Sequence, residues 1–315
     1  MRIRTYEKFE WILSVILRQV LIKRSDTVMK LINFKLNEEI HLGIKVESGI
    51  IDVTSSVEDT LFAAPTTMEQ VIASGQAGLS QLTELIKQKV RILSEEHLIY
   101  APCLVKPEKI LCVGLNYVSH ATESKIDIPV EPILFSKFNN ALAAHRQIIN
   151  LPKTAQKFDY EAELVIVIGK EASNVSKEEA LSYVFGYTTG NDLSARDLQF
   201  RSGQWLIGKT CDHFAPIGPY LVTADGLNPN NLDITCEVNG RMSQTANTRD
   251  MIFDCATIIS YASQYMTLKP GDIIFTGTPS GVILGNPEAE QKWLKAGDEI
   301  KVSIEGIGTL QNVLG

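Results

Sequence analysis

The run Phe158-Asp159-Tyr160-Glu161-Ala162-Glu163 passes directly into Leu164-Val165-Ile166-Val167-Ile168-Gly169. This join constrains the fold more than any other part of the chain. Leu164 to Ile168 is continuously apolar and mostly β-branched, the composition of a strand covered on both faces. Side chains alternate along a strand, so over residues 160–168 Glu161 and Glu163 point one way and Ala162 the other. Two carboxylates converging at the edge of an apolar core repel each other and resist desolvation, and a divalent cation between them removes both costs. The competing reading is a solvated strand face with no ion.

With 315 residues and 44 % hydrophobic content, the chain can bury a full-sized core as one large or two unequal domains. A net charge of -7, without a basic cluster or interleaved aromatics, argues against a nucleic-acid surface and for a small-molecule partner. Cys103, Cys112, Cys211, Cys236 and Cys255 are scattered, with no C-x-x-C pair, as suits reduced thiols in the cytoplasm. Residues 1–28 read differently from the rest. Phe9, Trp11, Ile12, Val15, Ile16 and Val20 make a helical apolar stripe that Lys8, Glu10, Arg18, Lys23 and Arg24 interrupt, so it neither spans a bilayer nor resembles a signal peptide. We expect an accessory helical leader there, or a start-site artefact, with the compact protein beginning near Met29.

From Met29 to about Thr54 short alternating segments suggest a hairpin around Glu47-Ser48-Gly49, and residues 68–90 carry helical spacing through Ile72, Leu79, Leu82, Leu85 and Ile86. A small α+β domain over 29–105 follows. Beyond the punctuation of Pro102 and Pro107, residues 106–315 form a larger, strand-rich domain. Its candidate strands are 109–115, 132–137, 160–168, 184–190, 216–223, 232–238, 272–276 and 298–304, with Asn239-Gly240 as a hairpin turn. One long helix is expected over about 249–266. Leu-Lys-x-Gly-Asp occurs at 268–272 and 294–298, each time before a strand, which we read as two similar turns. Many strands without regular β-α alternation predict an α+β, β-rich fold, a mixed roll or barrel.

Several residues have the chemistry to join the carboxylate pair. Asp192, in Gly190-Asn191-Asp192-Leu193-Ser194-Ala195-Arg196-Asp197, follows a predicted strand. It would complete an oxygen-only face suited to Mg2+ or Mn2+, and no His or Cys shares the spacing that zinc would favour. The alternative is that Asp192 caps a turn. His120 and Glu123 are three residues apart, so on a helix the carboxylate would orient the imidazole as a general base, although such pairs also occur as weak surface contacts. Gly203-Gln204-Trp205-Leu206-Ile207-Gly208-Lys209-Thr210 satisfies G-x-x-x-x-G-K-[ST], but no apolar strand precedes it and Trp205, Leu206 and Ile207 are too bulky for a phosphate cradle. The nucleotide reading is therefore set aside. Gly277-Thr278-Pro279-Ser280-Gly281 ends a strand in a turn whose N–H groups and Thr278 hydroxyl could bind a carboxylate, or could simply turn the chain.

Taken together, Asn116-Tyr117-x-x-His120-x-x-Glu123, Asp159-Tyr160-Glu161-Ala162-Glu163, Gly190-Asn191-Asp192-x-x-Ala195-Arg196-Asp197, Gly208-Lys209, Phe214-Ala215-Pro216-x-Gly218-Pro219 and Gly277-Thr278-Pro279-x-Gly281 resemble the fumarylacetoacetate hydrolase superfamily over about residues 108–315. The resemblance implies a mixed β-sandwich roll with a small N-terminal domain, assembled as a homodimer. It implies Mg2+ or Mn2+ held by Glu161, Glu163 and Asp192, a His120–Glu123 dyad on a lid, and Lys209 beside the developing oxyanion. It also implies substrate contacts from Tyr117, Lys137, Arg196, Gln199, Gly277 and Thr278. After Lys137 the chain departs from the family pattern through Phe138-Asn139-Asn140-Ala141-Leu142-Ala143-Ala144-His145-Arg146, which is expected to reshape the local pocket wall. The activity implied is metal-dependent hydrolysis of a C–C bond in a small 2-oxo or 2,4-dioxo acid. Oxaloacetate decarboxylation, and isomerisation or hydration of unsaturated keto acids, are alternatives on the same enolate chemistry. A binding protein that keeps the fold without turnover is disfavoured, because every motif residue is present.

Overall fold

The computed structural model describes residues 28–60, 62–88, 90–123 and 127–315. The leader expected over 1–28 lies, except for Val28, outside them. The strand Ala162–Ile168 is buried along its whole length, and its alternation separates two cores. Leu164, Ile166 and Ile168 pack with Tyr187, Ile258 and Ile259, whereas Val165 and Val167 pack with Ile273, Phe275, Leu31 and Leu82. Both faces are apolar because both are covered, and each fully buried aliphatic side chain contributes roughly 1.5–3 kcal/mol of transfer free energy.

Around this strand runs an 11-stranded sheet. Its order is Ile92–Leu93, Gly49–Asp52, Glu39–Val46, Lys30–Leu36, Leu221–Thr223, Val184–Asn191, Ala162–Ile168, Ile273–Phe275, Ile110–Gly114 and Ile133–Lys137, with Ile99–Ala101 on the side of Lys30–Leu36. Among the described residues only the pairing of Ile273–Phe275 with Ile110–Gly114 is parallel in this sheet. A second sheet of five strands runs Arg241–Asn247, Asp233–Val238, Glu299–Ile304, Gly308–Leu314 and Ile148–Ile149. The fold is thus β-rich α+β, as expected, but the sheet does not close into a barrel: Ile92–Leu93 and Ile133–Lys137 are its two ends among the described residues.

Turn chemistry largely follows the residues. Asn239 and Gly240 both take positive φ, 52° and 74°, as a two-residue hairpin turn requires. The two Leu-Lys-x-Gly-Asp segments form the same turn: Lys269 N–H donates to the Asp272 carboxylate and Lys295 N–H to that of Asp298, with Gly271 and Gly297 at φ 90° and 92°. The helix Met68–Ile86 starts at Thr67, whose side chain accepts the Gln70 N–H. Cys255–Tyr265 is shorter than the 249–266 expected, because Asp254 accepts the Thr257 N–H at 2.8 Å and starts the helix there.

Other departures have local causes. The predicted strand 160–168 begins at Ala162, and Phe158–Asp159 pairs separately with Ser194–Ala195. Between them, Tyr160 N–H donates to Asp159 Oδ1 and Glu161 N–H to Asn191 Oδ1, so side chains replace the ladder. Segment 216–223 splits into Ala215–Pro216 and Leu221–Thr223 around a cis Gly218–Pro219 bond. The residues before 105 share both sheet and core with the rest. Lys30–Leu36 pairs with Leu221–Thr223, and Met29 N–H reaches Thr223 Oγ1 at 2.9 Å.

His145 seals part of this junction, its ring edge-on to Tyr100 with centroids 4.7 Å apart and its Nδ1 accepting the Gln311 N–H at 3.1 Å. Burial, aided by the Arg146 charge, lowers its pKa to about 4. The unfolded chain, with a histidine pKa of about 6.5, binds a proton that the folded chain excludes between those values. Stability from this site is therefore full above about pH 6.5 and is lost as pH falls toward about 4. Urea midpoints measured at about pH 7 and about pH 5 should fall with acidification, and by less in His145→Gln. An equal fall in both proteins would remove His145 as the source.

Candidate metal centre and reaction cavity

The three acidic candidates meet at one end of a strand pair. Ala162 opposes Asn191 and Glu163 opposes Gly190 in an antiparallel ladder, and Asp192 N–H continues it to the Glu161 carbonyl at 2.9 Å. Glu161 lies just ahead of its strand and Asp192 just beyond its own. All three carboxylates are buried, and each offers an oxygen within 4.8 Å of the others. Glu163 also accepts the Gly277 N–H at 2.6 Å.

Cations surround this face without filling it. Lys209 Nζ lies 2.6 Å from Glu161 Oε2 and 3.1 Å from Asp192 Oδ2, and Arg196 reaches Glu161 Oε1 at 2.8 Å. Lys137 Nζ lies 2.5 Å from Asp192 Oδ1. Burial opposes the Lys209 ammonium, but the Asp192 and Glu161 charges outweigh it and raise its pKa. Burial likewise opposes ionisation of Glu161, yet Lys209 and Arg196 hold that carboxyl at about 2. Glu163 has no such partner: burial first, then repulsion from Asp192 and Glu161, drives its pKa well above the usual carboxylate range.

This imbalance tests whether a divalent ion fits. The buried set contains Asp159, Glu161, Glu163 and Asp192 against Lys137, Arg196 and Lys209, so it is short of positive charge when fully ionised. The shortage is concentrated at Glu163. An oxygen-only donor set with converging carboxylates suits Mg2+ or Mn2+, and the residues fit such an ion.

The centre opens into a cavity of about 540 Å³. His120, Glu123, Glu161, Glu163, Arg196, Gln199, Lys209 and Thr278 all line it, together with an apolar wall that includes Phe135, Phe200, Trp205 and Leu284. His120 and Glu123 sit on the short helix Val118–Glu123, with Nδ1 3.5 Å from Oε2. The helix is tied to the rest through Asn116, whose amide donates to the Phe253 and Thr276 carbonyls and whose oxygen accepts the Phe253 N–H. Gln244 donates to Thr278 Oγ1 at 2.9 Å, which leaves the Thr278 hydroxyl proton available.

Three residues expected to touch substrate lie elsewhere. Lys137 is wholly buried beneath the centre and donates to the carbonyls of Leu193, Lys209 and Phe214, so it braces Asp192 and the Lys209 backbone. Tyr117 is in the core and bridges to Met251; burial raises its pKa and keeps the phenol protonated. Gly277 is behind Glu163, to which it donates its N–H. The divergent segment 138–146 does not line the cavity either. Asn140 instead donates to Thr210 O and Asp212, bracing the turn after Lys209. In Gly203–Thr210 the only helix is Leu206–Lys209, whose lysine faces carboxylates, so no phosphate cradle forms.

Sequence reasoning gave Asp159 no role, although it heads the same run. It receives Arg196 Nε at 2.9 Å and the N–H groups of Ile283 and Leu284 at 2.8 and 3.0 Å, which aims the guanidinium into the cavity. Its signal was the charge placed ahead of a buried strand, with Arg196 as its partner. The aromatic wall had no comparable signal, because Phe135, Phe200 and Trp205 come from separate segments.

Residues 109–314 match the family described as fumarylacetoacetate (FAA) hydrolase C-terminal. Fumarylacetoacetate hydrolase domain-containing protein 2 homolog of Dictyostelium discoideum is 45 % identical over 286 residues, covering 86 % of this chain and 91 % of that protein. Oxaloacetate tautomerase FAHD2A, mitochondrial, of Homo sapiens is 38 % identical over 292 residues, covering 90 % and 91 %. Among solved structures, fumarylacetoacetate hydrolase from Exiguobacterium antarcticum superposes with a TM-score of 0.79 at 34 % identity, covering 91 % of this chain and 99 % of that one. Maleylpyruvate hydrolase from Sphingobium gives 0.74 at 30 %, covering 91 % and 100 %.

Glu161→Gln and Asp192→Asn should each weaken Mn2+ binding by titration calorimetry by at least about tenfold, and unchanged affinity would remove that residue from the ligand set. Lys137→Met removes the nearer of the two buried cations at Asp192, leaving Lys209 alone. It should cost about 3–5 kcal/mol in urea unfolding, whereas a loss under about 1 kcal/mol would place the brace elsewhere.

Proposed function

The chain belongs to the fumarylacetoacetate hydrolase superfamily, and from that premise we propose that it is a Mg2+- or Mn2+-dependent enzyme that forms and protonates the enolate of a small 2-oxo acid. The reaction proposed is keto–enol tautomerisation of oxaloacetate or a close relative. The observation that carries this reading is the buried triad Glu161/Glu163/Asp192 with Lys209 beside it and His120 across the same cavity. The name carried by the human relative, 38 % identical over nearly its whole length, supports the choice of substrate.

When bound, the divalent ion held by Glu161, Glu163 and Asp192 would polarise the 2-oxo carbonyl and lower the cost of its enolate. Lys209, kept charged by Asp192 and Glu161, supplies a fixed positive charge beside that oxygen. Arg196, held by Asp159, and the Thr278 hydroxyl bind the substrate's carboxylate groups. His120 moves the proton. It takes H+ from the carbon next to the carbonyl, the C–H electron pair becomes the C=C bond, and the carbonyl oxygen takes up the negative charge and then a proton. Glu123 orients the imidazole for both transfers.

A second reading is hydrolysis of a C–C bond in an acylpyruvate. It is favoured by the size of the cavity and by the apolar wall of Phe135, Phe200, Trp205 and Leu284, which a four-carbon diacid leaves unused. In that reaction His120 would deprotonate water, the water oxygen would add to the distal carbonyl, and the C–C bond would break to give a carboxylic acid and the enolate of pyruvate.

Assembly as a homodimer is part of the proposal, and light scattering in solution tests it. The compartment proposed is the cytoplasm, in line with five unpaired cysteines. The human relative's name says mitochondrial, and imaging of the tagged full chain decides. Among the described residues no helix is long and apolar enough to cross a membrane.

Oxaloacetate and a series of acylpyruvates, each assayed with Mg2+ and Mn2+, should show enol-to-keto conversion of oxaloacetate that disappears on chelation. Metal-dependent acylpyruvate cleavage with no oxaloacetate conversion would select the second reading. His120→Ala should lower kcat by about a hundredfold or more while Mn2+ affinity stays at the wild-type value. An unchanged kcat would remove His120 as the proton carrier.

A further inference from the structure

The glycine at 285 is not demanded by the backbone. Gly285 ends the short 3-10 turn Ile283–Gly285, and unlike Gly277 and Gly281 in the same loop, at φ 100° and 101°, it is outside the left-handed region that favours glycine. The three atoms nearest to a methyl group placed there are Cγ, Cδ and Oε1 of Glu123, and it would be driven into them. Steric space at this position is therefore reserved for the carboxylate of a residue 162 positions earlier, carried on another element.

Glu123 is fastened in that space. Gly281 N–H donates to its two oxygens at 3.1 and 3.2 Å, and one turn back Ser119 Oγ accepts the Ser280 N–H at 3.4 Å. These contacts join the helix bearing His120 to the loop Gly277–Gly285. The loop is itself anchored by backbone groups. Gly277 N–H goes to Glu163, Ile283 and Leu284 N–H go to Asp159, and the Gly281 carbonyl accepts the Tyr160 hydroxyl at 2.8 Å. One loop thus measures the position of Glu123 from the triad and from the residue that orients Arg196.

We infer that Gly285 is a positioning residue: the space left by its missing side chain is the berth of the Glu123 carboxylate, and that berth sets where His120 stands over the cavity. The inference rests on the proposed role of His120 as proton carrier. With the berth filled, Glu123 leaves the Gly281 N–H, the 3.5 Å approach to His120 is no longer held, and the helix loses one of its two ties to the loop. Because the obstacle is the far end of a flexible side chain, Gly285→Ala moves Glu123 without breaking the turn.

The test compares wild type, Gly285→Ala, Glu123→Ala and the double variant in the metal-loaded full chain. Gly285→Ala should keep the wild-type urea midpoint and KM for oxaloacetate, while kcat falls by about tenfold to a hundredfold. Alanine at 123 lacks all three of the atoms that a methyl at 285 would meet. Glu123→Ala should therefore lower kcat in the wild-type background, and once it is made Gly285→Ala should cost nothing further, a non-additivity that a purely structural glycine does not produce. Amide hydrogen exchange supplies a reading independent of turnover: the Gly281 amide and those of Val118–Glu123 should exchange faster in Gly285→Ala than in wild type. Unchanged exchange, or kcat losses that multiply in the double variant, overturns the inference. Wild-type protein without oxaloacetate conversion would instead overturn the choice of reaction, and the exchange measurement would still decide whether the berth exists.

Discussion

Everything at the reaction centre depends on a set of opposite charges held out of water: Glu161, Glu163, Asp192 and Asp159 against Lys137, Lys209 and Arg196. As a means of stabilising a fold this is a poor arrangement, since the desolvation of buried ions offsets most of their attraction. Its geometry makes sense as a preorganised field. Lys137 does not line the cavity, yet it ties Asp192 and the adjoining Leu193 carbonyl to the carbonyls of Lys209 and Phe214. Lys209 and Arg196 each reach from such a braced position to a carboxylate that faces the cavity. Glu163 is left with excess negative surroundings, which a divalent ion would relieve.

The two-sided core keeps that set in register. Residues 164, 166 and 168 are locked into one core and 165 and 167 into the other, so a one-residue slip of the central strand would place every side chain on the wrong face. The carboxylates follow from this register, with Ala162 against Asn191 and Asp192 one step beyond. Precision at the carboxylate triad is inherited from apolar packing on both sides of one strand. The His120 helix is held differently, by a few polar ties to the loop Gly277–Gly285 and to Asn116.

Much of the site is legible in the amino-acid sequence. Spacing points to the carboxylate pair, strand position to Asp192, and the family resemblance to His120, Glu123, Lys209 and Arg196, all of which the fold brings to one place. The turns are also legible, since Asn239-Gly240 and the two Leu-Lys-x-Gly-Asp segments carry their geometry in a few adjacent residues. What is not legible depends on contacts between distant segments. Lys137 resembles a substrate lysine until its three carbonyl partners are known. No local pattern in the N-terminal strands announces that Lys30–Leu36 pairs with Leu221–Thr223. The strand break ahead of Ala162 comes from side chains competing for backbone N–H groups, and no periodicity encodes that.

The central claim is that Glu161, Glu163 and Asp192 form one divalent-metal site. The most direct measurement is anomalous diffraction from crystals of the full chain grown with Mn2+. The account predicts a single strong peak within bonding distance, about 2.2 Å, of one oxygen from each of the three carboxylates. A peak elsewhere, or no peak between them at saturating Mn2+, would contradict it.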